Sequence, residues 1–121
     1  MPVTPEIEEF FAGDSVALDL ARAVIDLMDE VGDFESRVTK SQVAFRSRKG
    51  FAYLWRPGRY VNSDVPVVLS IALPEQIDSS RFKSVVHPGP HVWMHHLELR
   101  ETGQVDAEVA GWLAAAHQAA S

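Results

Sequence analysis

Val43-Ala44-Phe45-Arg46-Ser47-Arg48-Lys49-Gly50-Phe51-Ala52-Tyr53-Leu54-Trp55 decides the fold, because it holds two alternating runs around a short turn that contains glycine. Val43 and Phe45 alternate with Ala44 and Arg46. Phe51, Tyr53 and Trp55 then alternate with Ala52, Leu54 and Arg56. A period of two on both sides of such a turn predicts a β-hairpin. Upstream, Arg37-Val38-Thr39-Lys40 reads as a short strand or the start of one. Downstream, Pro57-Gly58 is a turn, and Val65–Leu73 is dense in Val, Leu and Ile, which predicts a central strand ended by Pro74.

On either side of these strands the period is helical. Thr4-Pro5 offers a cap and a residue preset to helical φ, and the segment Pro5–Ala12 stops at Gly13. Asp14 and Ser15 cap a longer helix with an apolar stripe of Val16, Leu20, Val24, Leu27, Met28 and Val31, ending at Gly32. Its wet side lets Arg22 pair with Asp26 one turn on. Val105, Val109, Trp112, Leu113 and Ala116 predict a terminal helix. Between them, Val92–Arg100 alternates: Trp93, His95, Leu97 and Leu99 share one face, and Met94, His96, Glu98 and Arg100 share the other. In Gln76–Pro90, Ser80 is a cap for one helical turn through Val85, and His87-Pro88-Gly89-Pro90 reads as loop. The pattern is α+β and two-layered, with an antiparallel sheet of 4–5 strands and the N-terminal and C-terminal helices packed on one face.

Length and composition bound the rest. With 121 residues, 46% hydrophobic and 23% charged, the chain is expected to form a single domain over 1–121. The absence of cysteine excludes disulfides, thiolate metal sites and a cysteine nucleophile. No apolar run approaches the roughly 18–20 residues of a membrane span. The acidic N-terminus is unlike a secretory signal. A cytoplasmic protein with no membrane partner and no cofactor is the expectation.

The net charge of −6 is unevenly spread. Residues 1–36 carry ten acids against Arg22 alone, whereas residues 37–59 hold Arg37, Lys40, Arg46, Arg48, Lys49, Arg56 and Arg59 with no acid. The hairpin cations alternate with Phe45, Phe51, Tyr53, Trp55 and Tyr60. Cations beside rings suit a small anion or a protein partner, and also suit single-stranded nucleic acid, although overall acidity opposes the last. Two plainer readings remain: the rings face the core and the cations solvate one sheet face, or the block pairs with the chain's own acidic helices.

His87, His91, His95 and His96 lie within ten residues. Adjacent strand residues point to opposite faces, so His95 and His96 cannot readily share one metal. His91, His95, His96 and Glu98 are nonetheless the candidates for a metal-dependent or acid–base enzyme. The plain alternative is a strand histidine hydrogen-bonded beneath a loop. No Gly-x-Ser-x-Gly elbow, phosphate loop or dinucleotide fingerprint is present. The leading reading is a non-enzymatic binding module that uses Lys40, Arg46, Arg48, Tyr53, Trp55 and His96 to hold a protein or a small anionic ligand.

The runs Val38-Thr39-Lys40-Ser41-Gln42-Val43-Ala44-Phe45-Arg46 and Gly50-Phe51-Ala52-Tyr53 resemble the DUF5655 family of small bacterial domains of unknown function. So do Leu73-Pro74, Pro88-Gly89-Pro90, His95-His96-Leu97-Glu98-Leu99 and Val109–Leu113 around Trp112. The resemblance spans about residues 10–117 and implies a small α+β domain with no established activity, substrate or cofactor. The layout is similar to YdhG- and frataxin-like helix–sheet–helix proteins, an analogy of fold alone.

Overall fold

The hairpin forms, within a larger sheet than expected. A register shift between Phe45 and Arg46 interrupts its alternation, so Phe51, expected on the face of Tyr53 and Trp55, is buried in the core. The computed structural model describes residues 3–59 and 61–121. Helices α1 (Pro5–Phe10) and α2 (Ser15–Val31) precede strands β1 (Glu35–Val38), β2 (Val43–Arg46), β3 (Gly50–Trp55), β4 (Val67–Leu73), β5 (Ser84–Gly89) and β6 (Val92–Leu99), and α3 (Ala107–Ala119) closes the chain. The six strands form one antiparallel sheet in the order β1-β2-β3-β4-β6-β5, one strand more than the upper expectation.

The additional strand is β5. Its segment was expected to form one helical turn and then a loop; instead Ser84–Gly89 runs along β6, with a register shift between Val86 and Gly89. Pro88 is tolerated there because β5 is an edge, where one side of the backbone needs no ladder partner. Ser79, not Ser80, organises the approach: its hydroxyl accepts from the Arg81 amide at 3.2 Å. β1 begins earlier than expected, and Thr39–Gln42 forms a turn in which the Thr39 hydroxyl accepts from the Gln42 amide at 3.2 Å.

The helices begin where their caps predict. Thr4 Oγ1 accepts from Ile7, and Asp14 Oδ1 accepts from Ala17 at 3.0 Å. Gly13 makes the break between α1 and α2 with a φ of 86°, the left-handed region that a side chain would oppose. Two details of α2 differ from expectation. Its core stripe is Ala17, Leu20, Ala21, Val24, Ile25 and Met28, so Val16 is left 48% exposed. Arg22 reaches back to Glu8 at 3.9 Å rather than on to Asp26.

A single apolar cluster joins α1, α2 and α3 to one side of the sheet, including Val43, Phe45, Ala52, Leu54, Leu69, Ile71, Leu97 and Leu99. At roughly 25 cal/mol per Å² of apolar surface removed from water, this burial is the main stabilising force. The other side leaves Tyr53, Trp55, Met94, His96 and Glu98 only partly covered. Among the described residues no helix is long and apolar enough to cross a membrane.

Candidate functional site on the uncovered face

Strand register builds the site. Arg37 lies opposite Ala44, Ala44 opposite Tyr53, Tyr53 opposite Ser70, Ser70 opposite His96, and His96 opposite Ser84, which makes one row across all six strands. Trp55 is two residues beyond Tyr53 on the same face of β3. Around this row a concavity of about 500 Å³ is lined by Ser41, Gln42, Tyr53, Trp55, Ser70, Met94 and His96. A second, of about 370 Å³, shares Trp55 and His96 and adds Val68, Lys83, Ser84 and Glu98 among its walls. The two together make a trough whose common wall is Trp55 and His96.

That wall is held by a relay. Trp55 Nε1 donates to Ser70 Oγ at 3.0 Å, and Ser70 Oγ lies 2.7 Å from His96 Nδ1. The indole and imidazole rings meet edge-on, with centroids 6.4 Å apart. Desolvation lowers the His96 pKa below the ordinary histidine value, and the neighbouring His95 adds to the effect. Ser70 is 3% exposed and its hydroxyl is engaged by both rings, so it holds them in place.

His95 is set quite differently. It is fully buried on the helix-covered side, where Nε2 accepts from the Ile77 amide and Nδ1 lies against the Trp93 carbonyl, both at 2.9 Å. Its ring also packs against Phe82, with centroids 4.7 Å apart. This is the histidine beneath a loop. His91 is exposed and lines a separate apolar cleft with Leu73, Pro74 and Ala116. Of the four metal candidates, only His96 and Glu98 share a cavity. Among the described residues no group of three or more potential ligands is gathered closely enough for a metal ion.

The basic block divides. Arg56 is turned inward: Nη1 donates to the carbonyls of Phe10 and Ala12 at 3.3 and 3.4 Å, and Nη2 lies 3.8 Å from Asp14. It thereby ties the end of α1 and the turn after it to the start of the segment that follows β3. Arg48 and Lys49 sit in the hairpin turn, and their amides both donate to the Ala120 carbonyl at 3.0 Å. Arg46 is exposed, and its guanidinium donates to the Arg48 carbonyl at 3.0 Å. Lys40 is exposed beside Ser41. Among the described residues, no carboxylate forms an ion pair with Arg37, Lys40, Arg46, Arg48 or Lys49. The aromatics divide too: Phe51 is buried edge-on against His117, whereas Tyr53 and Trp55 face the trough. Tyr60, grouped above with the hairpin rings, lies outside the described residues, as does the Arg59 side chain.

Of the six residues nominated for binding, the structure brings Tyr53, Trp55 and His96 together and leaves Arg48 elsewhere. Sequence reasoning missed Ser70, Ser41, Gln42 and Met94. Ser70 did leave a signal: it is the lone hydroxyl within Val67–Leu73, at the position whose alternation places it opposite His96.

The fold and site define a class: a small α+β domain that presents a half-open, ring-lined trough on the bare side of its sheet. Within that class the chain belongs to the DUF5655 family, a domain of unknown function, whose profile matches residues 7–120. No curated protein and no solved structure matches it.

Proposed function

We propose that the chain is a single-domain, non-enzymatic binding module whose ligand sits in the trough around Tyr53, Trp55 and His96. The observation that carries this reading is that three residues nominated for binding line one concavity of about 500 Å³, on the side of the sheet opposite the apolar cluster. That volume suits a small molecule, and a few fixed polar groups among rings are the usual composition of such a site. Lys40, next to the trough-lining Ser41, is the nearest accessory cation, and Arg46 shares the face of β2 with its guanidinium on the Arg48 carbonyl. Arg48 belongs to the hairpin turn and drops out of the site. The nearly buried Ser70 hydroxyl, committed to two rings, supports binding over nucleophilic catalysis.

A fragment screen read by ¹⁵N NMR tests the reading. Hits are expected to converge on the Trp55 indole N–H and on the amides of Ser41, Gln42, Met94 and His96, and to vanish in Trp55→Ala. Convergence instead on the cleft lined by Leu73, Pro74, His91 and Ala116 would relocate the site and refute this proposal.

A further inference from the structure

The hydrogen bonds at the shared wall fix which proton the trough presents. An indole N–H only donates, so Ser70 Oγ accepts from Trp55. The serine has one proton left to give, and His96 Nδ1 is its acceptor at 2.7 Å. The reverse arrangement, with Nδ1 donating, would leave a nearly buried hydroxyl proton unpaired, which is costly. The neutral imidazole therefore carries its proton on Nε2. Among the described residues no protein group accepts from that nitrogen, and His96 lines the cavities on both sides of it.

The charged groups on the hairpin side of the trough are mostly cations, with Glu35 opposite Arg46 as the exception. The polar lining of the larger cavity consists of hydroxyls, an amide and this imidazole, with no carboxylate. Arg37 lies in the same cross-strand row, Lys40 adjoins Ser41, and Arg46 occupies the same face of β2; none is ion-paired among the described residues. A cation would meet a net positive charge there, since Arg37, Lys40 and Arg46 outnumber Glu35, the carboxylate opposite Arg46. An anion would find donors and long cationic arms. The apolar part of the wall is Tyr53, Trp55 and Met94, which offers flat surface for a ring. Glu98 and Lys83 line only the smaller cavity, so the preference for an anion is local to the larger one.

We infer that the ligand of this trough is a flat ring bearing an anionic group, a carboxylate or a phosphate, with the ring against Trp55 and Tyr53 and an acceptor oxygen on His96 Nε2–H. This inference rests on the binding reading above and specifies its chemistry.

The test titrates ¹⁵N-labelled protein with phenyl phosphate, benzoate and benzamidine, following the Trp55 indole and His96 ring signals. At least one anion is expected to give saturable shifts, with benzamidine at least about tenfold weaker. The tighter of the two anions identifies the head group. Equal binding of all three probes, or tighter binding of benzamidine, would overturn the anion preference. Silence from all three would overturn the ligand class. In either case, fragment hits converging on Trp55 would leave the binding module standing, so the two failures are distinguishable. The double variant Arg37→Glu/Lys40→Glu changes two exposed side chains, and should bring anions and benzamidine towards parity. An unchanged anion preference in that variant would count against the inference.

Discussion

His95 and His96 are neighbours in the chain and belong to different parts of the molecule. His95 faces the helices, fully buried, with both ring nitrogens committed to backbone: the Trp93 carbonyl must accept from Nδ1, and the Ile77 amide must donate to Nε2. His96 faces the bare side with one nitrogen committed and, among the described residues, no partner on the other, and its proton on the opposite atom. A pleated strand makes this division unavoidable, since successive side chains point to opposite faces. One face has spent its polar groups on structure. The other retains donors for something else.

The largest expected effect comes from removing each ring in turn. His95→Ala strands the Ile77 amide and the Trp93 carbonyl and opens space beside Phe82. It should cost about 3 kcal/mol or more. His96→Ala removes the acceptor of the Ser70 hydroxyl, but the ring is only half-buried and water entering the trough can accept that hydrogen bond. The loss should therefore be smaller, about 1–2 kcal/mol, while ligand response in the trough is lost. Urea unfolding of both variants measures the gap; equal losses would erase the distinction between the two faces.

Next in size is the clamp on the helix-covered side. Arg81 donates to the Gln104 carbonyl and the Glu108 carboxylate, each at 2.8 Å, bonds Asp106 at 3.1 Å, and lies over the Trp112 ring. Its pKa is raised, chiefly by Glu108. Asp106 also caps α3, and the Val109 amide is the leading cause that lowers its pKa, with Arg81 reinforcing it. Asp106→Ala should cost about 1 kcal/mol by loss of the cap. Because the folded pKa lies below the unfolded one, the wild-type advantage is present above the ordinary aspartate range and fades as pH falls through the depressed value. Thermal unfolding of wild type and Asp106→Ala should therefore converge in acid. A gap that persists undiminished there would contradict this account.

How much of this was legible depended on whether a signal was local. Alternation in Val43–Trp55 and Val92–Leu99 is a property of neighbours, so the hairpin and the two faces of the histidine strand could be read directly. Edge strand β5 could not, because its exposed residues follow no alternation and Pro88-Gly89 imitates a loop. Leu20, Val24 and Met28 of the α2 stripe are buried as expected, but its edge was drawn at Val16 because Ala17 and Ala21, small but fully buried, carry little apolar signal. The relay joining Trp55, Ser70 and His96 spans separations of 15 and 26 residues, and only the register brings the three together. The division of the basic block was hidden for the same reason, since Arg56 finds its partners more than 40 residues upstream.

A smaller effect is the acid response of His96. With its folded pKa below the ordinary value, the unfolded chain takes up the proton first on acidification. The stability contribution is thus complete above the ordinary histidine range and declines as pH drops through the depressed value. Long-range ¹H–¹⁵N spectra report both the midpoint and the tautomer. They should show His96 protonated on Nε2 and His95 on Nδ1 near neutral pH. Finding the same tautomer at both rings would contradict the relay.

The smallest expected change in stability is also the sharpest test of how the bare face is kept in shape. A Cβ added at Gly50 would overlap the Tyr53 hydroxyl, so the tyrosine lies over the glycine and is held along the face by the lack of a side chain there. The obstructed atom is the far end of a movable side chain, so Gly50→Ala should alter stability by about 1 kcal/mol or less. The ring, however, has to leave its place on the trough wall. Fragment affinity should fall severalfold while the urea midpoint barely moves, a pattern that a general loosening of the sheet would not produce. If both change together, Gly50 acts through the hairpin turn; if neither does, the position of Tyr53 is immaterial to binding and the trough must be drawn around Trp55 and His96 alone.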